Sequence, residues 1–258
     1  MNKAFNNIKV LDLSDRVSGA WAARLFGDFG AEVILAEPES GHITRHLSPK
    51  TEHQESLIHH FVNWNKKSTP LDPENIARLA ENADVVITTQ NQAIVDQLKI
   101  DSIHLSITPH GLTGPWADIP GNDLTHSANS GWAMINKFEN EEPLQLPSHQ
   151  PSFIAGVAGF IAASASLIRG NRELIDVSEL EATALTCVPW AIMGIFIGGD
   201  RLQFGPNRFK IRGRPGPLWK TQDGFINYGY GDWQQWQNAM HFLGQHELAE
   251  NPDYIPSW

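Results

Sequence analysis

The sequence predicts an α/β protein with a Rossmann-like, doubly wound parallel sheet, followed by the start of a second, smaller unit. Three observations support this prediction. Residues 8–38 alternate between strand-like and helix-like patterns, the alternation continues to Thr108, and the sequence becomes basic and turn-rich from Phe204. Such alternation is typical of parallel sheets whose crossover helices cover both faces.

The first three predicted elements form a βαβ unit. Residues Ile8–Ser14 are apolar and β-branched, which predicts a strand, and Ala22–Gly30 has apolar side chains at helical spacing before a final glycine. A second strand follows at Ala31–Pro38. Two strands connected through a helix run parallel, so this unit predicts a parallel sheet.

The same alternation continues along the chain. The pattern predicts a helix at Pro73–Glu81, a strand at Ala83–Thr89, a short helix at Ile94–Leu98 and a strand at Ser102–Thr108. Ligands of doubly wound sheets bind beyond the carboxyl ends of the strands. We therefore expect one crevice, lined by the loops that follow Ser14, Glu37, Thr89 and Thr108.

The later part of the chain contains two apolar runs and then a change of composition. The runs, Phe153–Ile168 and Cys187–Gly199, are shorter than the roughly 18 residues that a membrane-spanning helix needs, which predicts buried core helices and no membrane span. The basic stretch after them indicates a domain boundary near Gly198–Gly205. We expect a large domain over residues 1–200 and the start of a small domain over residues 201–258.

Charge and cysteine content narrow the class of protein. The formal net charge of -10 argues against nucleic acid or an anionic membrane as partner, although clustered cations could still bind a small anion. The single cysteine, Cys187, leaves no internal disulfide, and the N-terminus lacks the apolar segment of a secretory signal. We therefore expect a cytoplasmic protein.

Several common site motifs are absent from the sequence. There is no GxGxxG after the first strand, no GxxxxGK[ST] phosphate loop and no GxSxG nucleophile motif. The eleven histidines lack the paired spacing of a zinc site, so we expect no metal.

Seven short signatures occur in fixed order along the chain. They are VLDLSDRVSGAWAARLFGDFGAEVILAEPESGHITR, NWNKKSTPLD, ADVVITTQN, SITPHGLTGPWADIPGNDLTHSANSG, PSFIAGVAGFIAA, IDVSELEA and DGFINYGYGDWQQW. Together they resemble the family III CoA-transferases, also called the CaiB/BaiF family. The resemblance covers nearly the whole chain.

The resemblance implies a fold and a reaction. It implies a Rossmann-like large domain, a smaller domain and two interlocked subunits, with CoA bound at the carboxyl edge of the sheet. In the family, a carboxylate attacks an acyl-CoA, becomes an anhydride and then carries CoA as a thioester, so that CoA moves between two carboxylic acids. The implied ligand is therefore acyl-CoA or CoA, and the implied partner is a second copy of the chain or another subunit.

Ser152 stands where the resemblance places the catalytic aspartate. Serine cannot become an anhydride or a thioester, so the sequence predicts no CoA transfer by the family cycle and no covalent CoA at position 152. We expect Ser152 to be the N-cap of the helix that follows it. The alternative is that Ser152 is a nucleophile and that His149 acts as its base. The family's racemases use a histidine near the position of Asn122, so racemisation is not expected either.

The resemblance also implies contacts with CoA. Arg45 and Lys66 are expected to bind the phosphates of CoA. The alternative is that both are solvated surface charges. The residues implied to bind CoA are Val17, Arg45, Lys66, Leu71, Thr89, Gln90 and Gly111.

Two alternatives to an active transferase stay open. One is a non-catalytic relative that binds CoA or completes a partner's site. The other is a truncated or split product, because the chain ends before the usual C-terminal portion of the family. We expect an oligomer in each case, because four tryptophans crowd the final unit: Trp219, Trp233, Trp236 and Trp258.

Overall fold

A six-stranded parallel sheet forms the centre of the protein. The computed structural model describes residues 3–135, 142–187, 218–227, 233–251 and 253. The strands are β1 (Lys9–Asp12), β2 (Glu32–Glu37), β3 (Lys67–Pro70), β4 (Val85–Thr88), β5 (Ile103–Thr108) and β6 (Leu174–Ser178). Their order is β3-β2-β1-β4-β5-β6, with every neighbouring pair parallel. This is the order of a Rossmann-like doubly wound sheet, and it confirms the predicted α/β fold.

Helices connect these strands and cover the sheet. They are α1 (Val17–Asp28), α2 (Leu57–Asn63), α3 (Pro73–Glu81), α4 (Gln92–Val95), α5 (Asp123–Asn129), α6 (Trp132–Ile135), α7 (Gln150–Arg169) and α8 (Glu179–Thr186), with a short 3-10 helix at Ile43–His46. The prediction located α3 correctly, but it began α1 five residues late, at Ala22. The apolar periodicity starts there, whereas the helix itself already begins at Val17.

The sequence pattern missed both edge strands. β3 is polar and largely exposed, and β6 alternates between exposed and half-buried residues before Ser178. By contrast, β4 and β5 are buried along their whole length and were predicted from their apolar runs. A strand covered on both faces needs continuous apolar sequence, whereas an edge strand does not.

The helix α7 makes the crossover from β5 to β6 and packs closely against α1. An ideal Cβ at Gly156 would lie 2.6 Å from the backbone carbonyl oxygen of Ser18, so only glycine permits this approach. Further along, Phe160 packs against Phe26 with ring centroids 4.9 Å apart. The two helices therefore run in the same direction, and both begin at the carboxyl edge of the sheet.

The helix α7 is longer than the apolar run that predicted it. It has 20 residues and a mean hydropathy of 1.7, and within the described ranges it is the one helix that meets the length and composition of a membrane span. A core helix meets the same criteria. One face of α7 packs on α1 and on Ile107 of β5 as in a core helix, whereas Ile161 and Ile168 of α7 are exposed.

A second group of elements follows later in the chain. It contains the antiparallel strands β7 (Leu218–Lys220) and β8 (Phe225–Asn227) and the helices α9 (Trp233–Phe242) and α10 (His246–Glu250). Trp236 is buried in a small core with Ala239, Met240 and Ala249. The predicted domain boundary and Trp258 lie outside the described residues, as does the side chain of Trp219, so the division at residue 200 stays a prediction.

Candidate active site at the carboxyl edge of the sheet

The loops after β1 and β4 meet where the strand order reverses. The backbone N–H of Asp15 donates to Oγ1 of Thr89 at 2.9 Å, and that hydroxyl donates to Oδ1 of Asp15 at 2.5 Å. In doubly wound sheets, this reversal point is where the ligand crevice opens. The strand order therefore keeps the predicted crevice at the edge where both loops emerge, and the crevice itself stays a prediction.

Ser152 is not the N-cap of α7, which corrects the sequence-based expectation. His149 is the N-cap residue, with left-handed backbone (φ 59), and Ser152 is the third residue of the helix. The N–H and the hydroxyl of Ser152 both donate to Oδ1 of Asp123, at 3.0 Å and 2.8 Å. Asp123 lies 29 residues away in the sequence, so a tertiary contact caps the helix where a local one was expected.

His149 does not act on Ser152 directly. Its Nδ1 lies 2.8 Å from Oδ2 of Asp123, so the carboxylate stands between the imidazole and the hydroxyl. Burial opposes the charge of Asp123, but the hydrogen bonds from His149 and Ser152 outweigh it and lower the pKa of this carboxyl. The first turn of α7 also favours an anion at this position.

A buried ionic cluster lies next to this group. Glu179, the first residue of α8, accepts from the guanidinium of Arg16 at 2.9 Å and 2.5 Å and from the hydroxyl of Ser18 at 2.5 Å. Nε2 of His126 lies 3.0 Å from the same carboxylate. Burial raises the pKa of Glu179, but the hydrogen bonds from His126 and Arg16 prevail and bring it to about 2.

This cluster connects three loops of the carboxyl edge. Arg16 follows β1, Glu179 follows β6, and Arg16 also donates to the carbonyl oxygen of Gly121 at 3.1 Å. The sequence pattern did not predict Arg16, Asp123, His126 or Glu179 as site residues. Each of these residues lies within one of the quoted signatures, which was the signal available in the sequence. No short spacing in the sequence indicates that they contact one another.

Arg45 is the expected cation that remains half exposed at this edge. Its guanidinium donates to both carboxylate oxygens of Glu37 at 2.7 Å, and the hydroxyl of Ser68 donates to Glu37 as well. The hydrogen bond from Arg45 is the largest influence on Glu37 and helps lower the pKa of that carboxyl to about 2. Arg45 is thus held rigidly, with 44% of its side chain exposed.

Lys66 is buried, whereas a cation that binds the CoA phosphates was expected to face a ligand. Its side chain is 1% exposed, and its ammonium donates at 2.7 Å to Asp12, to the carbonyl oxygen of Ala20 and to Asn63. The physical reason is its partners: Asp12 at the end of β1, Ala20 of α1 and Asn63 at the end of α2 enclose the ammonium. All three ammonium protons are used in the core.

The other predicted site residues all follow carboxyl ends of strands. Val17 begins α1 and is buried, Leu71 follows β3 and is exposed, and Gln90 follows β4 beside the buried Thr89. Gly111 follows β5 with a φ of +87, a conformation that favours glycine. In the described ranges, no group of three or more His, Cys, Asp or Glu side chains could hold a metal ion.

Comparison with known proteins identifies the family. The model of CoA-transferase family III matches residues 5–257. This chain belongs to CoA-transferase family III. The resemblance inferred from the seven signatures is therefore confirmed.

Two enzymes of this family are similar to the chain over most of its length. Succinyl-CoA:glutarate CoA-transferase of Homo sapiens is 30% identical, over 98% of this chain and 62% of the human protein. Succinate--glutarate CoA-transferase of Agrobacterium fabrum is 27% identical, over 96% of this chain and 68% of that protein. The chain thus spans about two thirds of the length of these relatives.

Solved structures show the same fold. A CaiB/BaiF family protein from Brucella suis superposes with a TM-score of 0.79 at 24% identity, over 98% of this chain and 73% of that one. The protein Rv3272 from M. tuberculosis gives a TM-score of 0.80 at 22% identity, over 98% and 72%. At these identities the likeness concerns the fold alone.

Proposed function

We propose that this chain takes part in the transfer of CoA between carboxylic acids and binds acyl-CoA at the carboxyl edge of the sheet. The observation that carries this proposal is the family match across residues 5–257, on a sheet with the Rossmann-like strand order. The names of the two relatives suggest dicarboxylic acids as substrates, with succinyl-CoA as donor and glutarate as acceptor.

Arg45 and Arg16 are the cations that we assign to the CoA phosphates. Both lie in loops at the carboxyl edge, and their side chains are 44% and 25% exposed. On a chain with a net charge of -10, an anionic ligand needs such local positive charge. Thr89, Gln90 and Gly111 follow the neighbouring strands, and we retain them in the proposed site.

The test is the exchange reaction itself. The full chain is incubated with succinyl-CoA and glutarate, and glutaryl-CoA is measured by liquid chromatography and mass spectrometry. Calorimetric titration of CoA against the wild type and Arg45→Ala then tests the site, and we expect weaker binding by the variant. Absence of exchange would refute the proposed transfer, and absence of CoA binding would refute the proposed site.

A second candidate is a relative that binds CoA without turnover. Ser152 favours it, because the hydroxyl at this position cannot carry CoA as a thioester. CoA binding without exchange, over a panel of short acyl-CoAs and carboxylic acids, would support this candidate.

We also propose that the chain is a cytoplasmic homo-oligomer or pairs with a second subunit. Trp236 does not support this expectation, because it is buried in its own small core. Exposed apolar side chains on α7 and α8 support it instead, among them Ile161, Ile168 and Leu185, which are 60%, 83% and 69% exposed. A monomer in light scattering at micromolar concentration would contradict it.

A further inference from the structure

We propose that His42 is a positioning residue that holds together the two loops carrying Arg16 and Arg45, the arginines assigned to the CoA phosphates. The inference rests on the proposed function, in which both guanidinium groups bind the phosphates of CoA. It gives a role in ligand binding to a buried histidine that the sequence pattern did not predict as a site residue.

Each arginine is fixed by partners of its own. Arg16 follows β1, and its guanidinium is bound by Glu179 and by the carbonyl oxygen of Gly121. Arg45 lies in the 3-10 helix after β2, and its guanidinium is bound by Glu37. These contacts orient each guanidinium, but they do not join one loop to the other.

His42 connects the two loops. It is the N-cap of the 3-10 helix that carries Arg45, and its Nε2 lies 2.9 Å from the carbonyl oxygen of Ser14, which precedes Arg16 by two residues. In the part of the chain that the structure describes, this is the one hydrogen bond between the loop after β1 and the loop after β2. His42 is 2% exposed, so the contact is shielded from water.

The contacts of the His42 ring assign its tautomer. A carbonyl oxygen only accepts hydrogen bonds, so Nε2 carries a proton and donates to Ser14. Burial lowers the pKa of His42, while the charge of Asp12 opposes this shift, so the ring is neutral at pH 7 and Nδ1 is unprotonated. Nδ1 then accepts from the backbone N–H and the hydroxyl of Thr44, at 3.2 Å and 2.7 Å. Both ring nitrogens are therefore used.

Thr44 connects the His42 ring to α2. Its hydroxyl donates to His42, so its oxygen accepts from Nδ2 of Asn63 at 3.1 Å and from Nδ1 of His59 at 2.8 Å. Nδ2 of Asn63 and Nδ1 of His59 lie 3.1 Å apart because both donors converge on this oxygen. Burial is the largest influence on His59 and lowers its pKa to about 4, so this ring is neutral as well. The network thus holds the His42 ring from its Nδ1 side, with Nε2 directed at Ser14.

Two substitutions of His42 separate the contact with Ser14 from the rest of the network. The amide nitrogen of glutamine can take the position of Nε2, whereas the shorter asparagine reaches only the position of Nδ1. His42→Gln therefore keeps a donor for Ser14, and His42→Asn does not. In calorimetric titration with CoA, we expect a Kd within about twofold of the wild type for His42→Gln and about 3- to 10-fold higher for His42→Asn, the effect of one lost hydrogen bond. His60→Asn, whose ring is 55% exposed on α2, is the matched control and is expected to bind as the wild type does.

A double-mutant cycle tests whether His42 acts through the arginines. Holding the two loops together matters only while both arginines bind the ligand. In the Arg45→Ala background, we therefore expect His42→Asn to change the Kd for CoA by less than about twofold. An equal effect in both backgrounds, or equal Kd values for His42→Gln and His42→Asn, would overturn the inference and leave the proposed site intact. A wild type that binds no CoA would overturn both.

A measurement on the wild type decides the case in which a His42 variant does not fold. Nitrogen-15 NMR of the imidazole rings in the full chain reports which nitrogen of His42 carries the proton. We expect a protonated Nε2 and an unprotonated Nδ1 at pH 7, because the carbonyl oxygen of Ser14 faces Nε2. A proton on Nδ1 alone would leave Ser14 without its donor and would overturn the inference.

Discussion

Replacing Lys66 with methionine should destabilise the protein without weakening CoA binding. The ammonium of Lys66 is 1% exposed, the carboxylate of Asp12 is fully buried, and they are 2.7 Å apart. Removing one partner leaves a buried charge uncompensated, which costs about 3–5 kcal/mol of unfolding free energy. For a domain of this size, that loss lowers the unfolding midpoint by roughly 10 °C. Asp12 would keep only its hydrogen bonds from Ser14.

Urea unfolding followed by circular dichroism measures this loss, and the double variant Asp12→Asn, Lys66→Met is the control. Removing both charges should recover more than half of the lost stability, because the penalty comes from the unpaired carboxylate. A loss below about 1 kcal/mol in the single variant would refute a buried ion pair, since exposed pairs contribute no more than that. Weaker CoA binding by folded Lys66→Met would show that Lys66 does belong to the ligand site.

Two further predictions concern acid stability and helix packing. The pKa of Glu37 is about 2 in the folded protein, against an ordinary 4.5, so its stabilisation is complete above pH 4.5 and is lost as the pH falls towards 2. Arg45→Met should therefore reduce the pH dependence of the urea midpoint in that window, and an unchanged slope would contradict the assignment. Gly156→Ala should cost about 1–3 kcal/mol, because its Cβ would lie 2.6 Å from the Ser18 carbonyl oxygen, whereas Gly224→Ala meets no atom within 4 Å and should be neutral in thermal unfolding. Equal midpoints for the two alanine variants would argue against the close approach.

Elements with a strong local pattern could be predicted from the sequence. The apolar runs of β4 and β5 predicted buried strands, and Asp72 and Pro73 begin α3 where the pattern placed it. The edge strand β3 could not be predicted in this way. It is held by backbone hydrogen bonds to β2, and its polar side chains leave no periodic signal.

Side-chain roles at the carboxyl edge depended on the tertiary structure. Lys66 looked like a cation for phosphate, but its buried ammonium pairs with Asp12. Ser152 looked like a helix cap, but it donates to Asp123.

The sequence by itself determined the class of fold, the edge at which the loops converge and the family, because apolar periodicity and short ordered signatures are properties of neighbouring residues. Only the tertiary structure decided which polar groups pair there. Arg16 and Glu179 are 163 residues apart, and they meet because β1 is separated from β6 only by β4 and β5. Each such pair is required once it is buried, because an unpaired charge away from water is costly. The strand order decides which partner lies within reach.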